Sequence, residues 1–151
     1  MGNSYLWLKM LHVFGVILFL GNIIVTGWWK VMADRTRNPV IIAFAQRQVT
    51  LTDWVFTVGG VLLVLAGGLG NVWLHDIDYR QLRWLTWGMG LFAASGVIWA
   101  AILLPVQTAQ SRMARQFADG GEIPPRYWQL GRIWNVFGTL ATLLPLLNLY
   151  W

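Results

Sequence analysis

The chain has 151 residues, a usual size for one domain, but its 57% hydrophobic content, 11% charged content and mean hydropathy of +0.55 do not fit a soluble one. Eleven tryptophans and no cysteine exclude disulfide scaffolds and thiolate-held zinc or iron–sulfur clusters, so any metal or cofactor must be held by His, Met, carboxylate or backbone groups. The net charge of +5 comes from Lys and Arg scattered between long apolar runs without a basic patch or recognition motif, so it reads as membrane topology and no nucleic-acid partner is expected.

Four uncharged stretches, Met10–Trp29, Trp54–Leu74, Trp84–Val106 and Ile133–Trp151, are each long enough to cross the roughly 30 Å of hydrocarbon that about 20 helical residues span. The first reads as a retained helix and not a cleaved signal peptide: no basic segment precedes it, its apolar run is too long, and no A-x-A site follows. Runs without period-2 alternation favour helices over a barrel. The expected fold is an all-α membrane protein: one domain over residues 1–151, a bundle of four transmembrane helices at 5–29, 53–74, 84–106 and 126–151.

The loops carry further signals. Asn38 before Pro39 is a helix cap and first turn, and VIIAFAQRQV after it reads as a short helix lying on the cytoplasmic interface. Pro105 should kink the third span, whose helix continues through QTAQSRMARQF to a stop at Asp119, Gly120 and Gly121; Pro124 and Pro125 then open the fourth. The first loop holds Lys30, Arg35, Arg37 and Arg47, the third Arg112, Arg115, Arg126 and Arg132, and the second only Arg80 and Arg83. That bias places loops one and three in the cytoplasm and both termini on the outer, periplasmic side of a bacterial inner membrane. Tryptophans at span ends, Trp7, Trp28, Trp29, Trp54, Trp73, Trp84, Trp128, Trp134 and Trp151, read as interface anchors.

Small and polar residues should mark the helix contacts, because lipid supplies no hydrophobic drive between helices. At 100° per residue, Asp53, Thr57, Gly60, Val64, Gly67, Asn71 and His75 fall within about 80° of one another. Lys9, His12, Gly15, Phe19, Asn22 and Thr26 share a face of the first span; Asn135, Thr139 and Thr142 share one of the fourth, and the third offers Gly88, Ser95 and Trp99. Asp53 is expected to enter structural ion pairs with Arg47, Arg112 or Arg132.

His12 is the candidate with the most chemistry. An ionisable group inside a span is costly, so it is either a neutral imidazole bonded to Asn71 or a backbone carbonyl, or the axial ligand of haem iron. His75, at the outer end of the second span, is a second-ligand candidate, or with Asp76 and Asp78 part of a small-metal site. Lys9 could meet a haem propionate or snorkel to the headgroups. Gly15 and Gly67 would give a macrocycle room, with Phe14, Phe19, Asn71, Trp73 and Trp99 lining its pocket. No phosphate loop, Ser-His-Asp order, H-E-x-x-H or catalytic carboxylate pair is present.

The opening YLWLKMLHV (Tyr5 to Val13), DWVFT at Asp53 to Thr57 and PPRYW at Pro124 to Trp128 resemble an uncharacterised bacterial family of four-span integral membrane proteins, a domain of unknown function. More distantly, Leu11–His12 is similar to the start of HemJ-type protoporphyrinogen oxidases and CopD-like membrane proteins. The HemJ-type resemblance implies that His12 ligates haem b; the third-span lysine of that family has no counterpart here, where Arg83 and Trp84 stand at one end and Arg112 at the other. The first expectation is therefore an inner-membrane haem b protein passing electrons between a quinone or porphyrin-like reductant and another redox carrier. A quinone or lipid would suit the same pocket. The alternatives are a cofactor-free accessory subunit of a larger membrane complex, and an oligomeric transporter of a metal ion or small solute.

Overall fold

The computed structural model describes residues 3–150, apart from the side chain of Leu149; Trp151, expected as an anchor, lies outside them. The described residues are helical, without strands, in the order α1 (Asn3–Arg35), α2 (Pro39–Thr52), a π turn (Asp53–Thr57), α3 (Val58–Leu74), α4 (Arg83–Ile98), a second π turn (Trp99–Leu103), α5 (Leu104–Gln116), α6 (Pro125–Leu146) and a 3-10 turn (Leu147–Tyr150). Across the π turns α2 runs into α3 and α4 into α5, so there are four long rods. Three of them, Asn3–Arg35, Pro39–Leu74 and Arg83–Gln116, are long and apolar enough to cross a membrane. Only 11–22% of their most apolar windows is buried, so most apolar side chains face outward, as lipid-facing chains do.

Local chemistry sets the boundaries. The Asn38 carboxamide accepts from the Val40 and Ile41 amides at 3.0 and 3.3 Å, capping α2 with Pro39 in its first turn. The VIIAFAQRQV stretch is helical, as expected, and runs on through the π turn as the first turns of the Pro39–Leu74 rod. Its Ile42, Gln46 and Val49 face inward at 0–1% exposure, because α2 is sandwiched between α1 and α5. Thr50 and Thr52 bond back to the Gln46 and Gln48 carbonyls just before the first π turn, competing with the regular ladder. The second π turn directly precedes Pro105, which has no N–H to continue the ladder. Gly120, at φ +99°, makes the turn after α5 that an L side chain would strain.

The rods form two antiparallel pairs. Along α1 and α3, His12 meets Val64, Gly15 meets Gly60, and Asn22 meets Asp53. Along α4 and α6, Ser95 donates to the Ala141 carbonyl at 2.6 Å and Gly88 lies against Asn148. The pairs are joined mainly at the end that carries the α1–α2 and α5–α6 turns, termed here the basic end, where α2 packs on α5 and α1 on α6. There Ile42, Ala43, Ala114, Phe117 and Tyr127 form a compact core. Toward the opposite, terminal end, α3 and α4 do not pack on one another among the described residues.

The α1–α3 contact is made backbone to backbone. A Cβ on Gly15 would lie 2.7 Å from the Gly60 carbonyl oxygen, and one on Gly67 would lie 2.5 Å from the Leu8 oxygen and 2.6 Å from the His12 nitrogen. Gly67→Ala should therefore destabilise the chain in mild detergent by the roughly 1–3 kcal/mol of an overpacked contact. Gly59→Ala, whose methyl meets nothing within 4 Å, should not destabilise it. Thermal unfolding followed by tryptophan fluorescence checks this; equal melting of the two variants would refute the close-approach account.

Candidate functional site

The gap between the helix pairs is a cavity of about 930 Å³, within the size of small-molecule sites. Phe19, Ile23, Trp54, Val61, Phe92, Trp99 and Leu103 give it apolar walls, and Ser95, Gly96, Gly138 and Thr142 keep the α4 and α6 sides thin. Phe19 and Phe92 meet edge to face across it, with ring centres 5.9 Å apart.

At its foot, toward the basic end, lies the Asp53 carboxyl group at 8% exposure. The π turn brings both Asp53 and Thr57 inward. Thr57 Oγ1 donates to Asp53 Oδ1 at 2.9 Å, Asn22 Nδ2 donates to the same oxygen at 3.1 Å, and Gln107 Nε2 donates to Oδ2 at 2.9 Å. Trp134 Nε1 donates to Gln107 Oε1 at 3.1 Å, which orients that amide toward the carboxylate. The expected ion pairs are thus corrected: Asp53 takes three neutral donors from α1, α3's lead-in turn and α5, while Arg47, Arg112 and Arg132 are exposed. Guanidinium groups that can stay hydrated gain little by following a carboxylate into an apolar interior.

Closer to the basic end is a second polar cluster that the sequence reading missed. Lys30, counted above as a loop charge, sits inside α1 at 1% exposure. Its ammonium is 3.2 Å from Asp34 Oδ2 and donates to the Tyr127 hydroxyl at 3.0 Å, over the Tyr127 and Trp134 rings at 4.9 and 5.6 Å. Tyr127, fully buried, reaches Asp34 Oδ1 and Gln46 Oε1, each at 3.3 Å, and its single proton serves one at a time. Gln110, also fully buried, donates to the Tyr127 carbonyl at 3.3 Å. The signal was present: Asn22, Thr26 and Lys30 continue the polar stripe of α1 at four-residue steps.

His12 is half-buried against α3, and its Nδ1 lies 2.9 Å from the Val64 carbonyl, which can only accept. Nδ1 is therefore the donor in this contact, and Nε2 is the ring nitrogen it leaves unused. Gly68 makes the approach feasible, since a Cβ there would lie 3.1 Å from Nδ1. His75 belongs elsewhere: its Nδ1 is 3.3 Å from the Asn71 carbonyl, its Nε2 is 3.5 Å from Ser4 Oγ, and Tyr5 stacks edge-on at 5.4 Å. His12 lies level with Gly67 and Gly68, seven to eight residues before His75, which at about 1.5 Å per residue is roughly 11 Å along α3. The expectation that His12 and His75 share one depth is therefore corrected: they sit about two turns apart along α3, each with its own hydrogen-bond partners.

Of the other expected pocket residues, Phe19 and Trp99 line the cavity. Gly15 and Gly67 are filled by the partner backbone, so they give no room to a macrocycle between α1 and α3. Lys9 is exposed, as are Phe14 at 55% and Trp73 at 79%, and the buried Asn71 Oδ1 has no partner. No three His or carboxylate groups converge on a metal position among the described residues; Asp78 instead accepts from the Arg80 amide and the Gln81 carboxamide. Two expected anchors are half-buried and make contacts within the protein: Trp134 holds Gln107, and Trp128 lies between Tyr127 and the Arg37 guanidinium, 4.4 Å from its ring.

A family profile described as "Predicted integral membrane protein (DUF2269)" matches residues 6–150, which takes in both helix pairs, the cavity and His12. The chain belongs to this family. No curated protein and no solved structure matches it.

The Lys30 cluster yields a direct test. Lys30→Met removes one partner of a buried pair and should destabilise the chain by about 3 kcal/mol, the low end for such pairs because Asp34 keeps 17% exposure. Tyr127→Phe removes only hydrogen bonds and should cost about 1–2 kcal/mol. Chemical unfolding in mild detergent orders the two; a neutral Lys30→Met would refute the ion-pair assignment.

Proposed function

We propose that the chain is a haem b protein of the bacterial inner membrane that carries electrons between a quinone or similar reductant and another membrane redox partner, with His12 as the axial ligand. The observation that carries this reading is the His12–Val64 hydrogen bond. An Nδ1–H held by a backbone carbonyl is the outer-shell arrangement that fixes a metal-binding imidazole and presents Nε2. The distant likeness of Leu11–His12 to the HemJ-type and CopD-like proteins points the same way. Haem supplies one-electron transfer when bound.

The residues fit the group on one side only. The α1–α3 seam is closed by the glycine contacts, so a macrocycle would lie on the face of α1 that looks toward the other helix pair. His12 itself bonds across the seam to Val64, two turns from Phe19, where the cavity begins, so a macrocycle would reach its Nε2 from the edge of that face. His75 is engaged by Ser4 and Asn71, so the proposal has one axial protein ligand. In this reading α6 is the fourth span. Its 22 residues reach about 33 Å, and Arg126, Gln129 and Arg132 dilute the apolar character of its first half. With Lys30 buried, Arg35, Arg37 and Arg47 of the first turn and rod and the four arginines Arg112, Arg115, Arg126 and Arg132 still outweigh Arg80 and Arg83, which supports both termini outside.

Oxidised and dithionite-reduced spectra of protein purified from haem-replete cells test the proposal. A Soret band near one haem per chain should vanish in His12→Ala and persist in His75→Ala. A colourless protein overturns it in favour of an accessory subunit, and full haem retention in His12→Ala overturns the ligand assignment.

A further inference from the structure

We propose that the cavity between the helix pairs is a binding site for a lipophilic cation, with Asp53 as its counter-charge. This does not rest on haem at His12, which lies two turns beyond the part of α1 that lines the cavity.

The half-buried Asp34 and the buried Asp53 of the basic half are treated differently. Asp34 has Lys30 at 3.2 Å; Asp53 has no Lys, Arg or His within ion-pair distance among the described residues. All three of its side-chain partners donate to it, an arrangement suited to an ionised carboxylate, and none of them cancels its charge. A desolvated carboxylate without a counter-charge is costly, and more so at membrane depth. Beside it is open volume instead of a basic side chain, and the walls of that volume are aromatic: Phe19, Trp54, Phe92, Trp99 and Trp134.

These features select one chemistry. Apolar walls accept a hydrophobic body, ring faces attract a poorly hydrated cation, and the carboxylate supplies the opposite charge at one end. A small hydrated metal ion finds no group of three His or carboxylate ligands among the described residues. An anion would meet Asp53 head-on. A lipophilic ammonium or phosphonium satisfies the carboxylate and the walls together.

The test is equilibrium dialysis of tetraphenylphosphonium against the full chain in mild detergent, with uncharged triphenylmethane as competitor. The wild-type chain should bind at one site, Asp53→Asn should weaken binding tenfold or more, and triphenylmethane should compete poorly. Gly96→Leu and Gly138→Leu place side chains in the cavity wall where a Cβ meets nothing within 4 Å, so they should fold and lose binding. His12→Ala should bind as wild type, which separates failure here from failure of the haem reading. Undiminished binding in Asp53→Asn, or in both glycine variants, or equal competition by triphenylmethane overturns the proposal. Should Asp53→Asn not fold, the glycine variants and the neutral competitor decide it.

Discussion

Gly15, Gly60 and Gly67 bring α1 and α3 into backbone contact, and the register fixed by that contact decides what every polar group in the pair can reach. It sets His12 against the Val64 carbonyl and Asn22 against Asp53. In lipid there is no hydrophobic drive to hold two apolar rods together, so close approach and the dispersion it allows must do so. Side chains in those three positions would separate the rods and dissolve the hydrogen bonds that depend on their spacing. The α4–α6 pair uses a weaker version, a serine hydroxyl on the Ala141 carbonyl and a glycine against Asn148.

Polarity in the interior is graded along the rods. At the basic end the core resembles that of a soluble domain, with Phe117 and Tyr127 fully enclosed and Lys30 neutralised in place. Further along come Asp53 and its neutral donors, and beyond them apolar walls and glycine broken by uncharged contacts such as Ser95 on the Ala141 carbonyl. Each charge inside such a structure needs a local partner, because neither lipid nor protein hydrates it. Lys30 has one within its own helix, a single turn away at Asp34. Asp53 has hydrogen bonds but no charge, and that asymmetry singles it out among the buried groups.

The helical class, the spans of the first three rods, the Asn38–Pro39 cap and the polar stripe of α1 were legible because each rests on local pattern: continuous apolarity, capping chemistry and four-residue spacing. What was not legible depends on which rods touch. Lys30 looked like a loop charge because the uncharged run ends at Trp29, and nothing local says that α1 continues to Arg35 and turns Lys30 onto Tyr127. Gln46, read in a short interfacial helix, and Gln107 and Gln110, read in the polar continuation of the third helix, show no sign of burial until α2 and α5 are laid side by side. The glycines were placed correctly as helix contacts, but room for a macrocycle was expected beside them, since spacing cannot tell a surface that admits a ligand from one that admits a helix. Asp53 drew expected arginine partners because charge is visible in a sequence and the depth at which it is buried is not.

The cavity follows from the same physics as the glycine seam. In water an apolar gap of this size between helix pairs would collapse, because closing it removes hydrocarbon from solvent. In a bilayer the gap can be filled by acyl chains that are as apolar as its walls, so closing it gains little and α3 and α4 can stay apart. For the same reason the apolar walls contribute little selectivity: any hydrophobic body is accepted about as readily as a lipid chain. Discrimination falls to the groups that lipid tails cannot satisfy, and the one charged side chain that lines this cavity is Asp53, with aromatic faces around it. The occupant with an advantage over bulk lipid is therefore one whose polar end answers those groups, and a positive charge answers both.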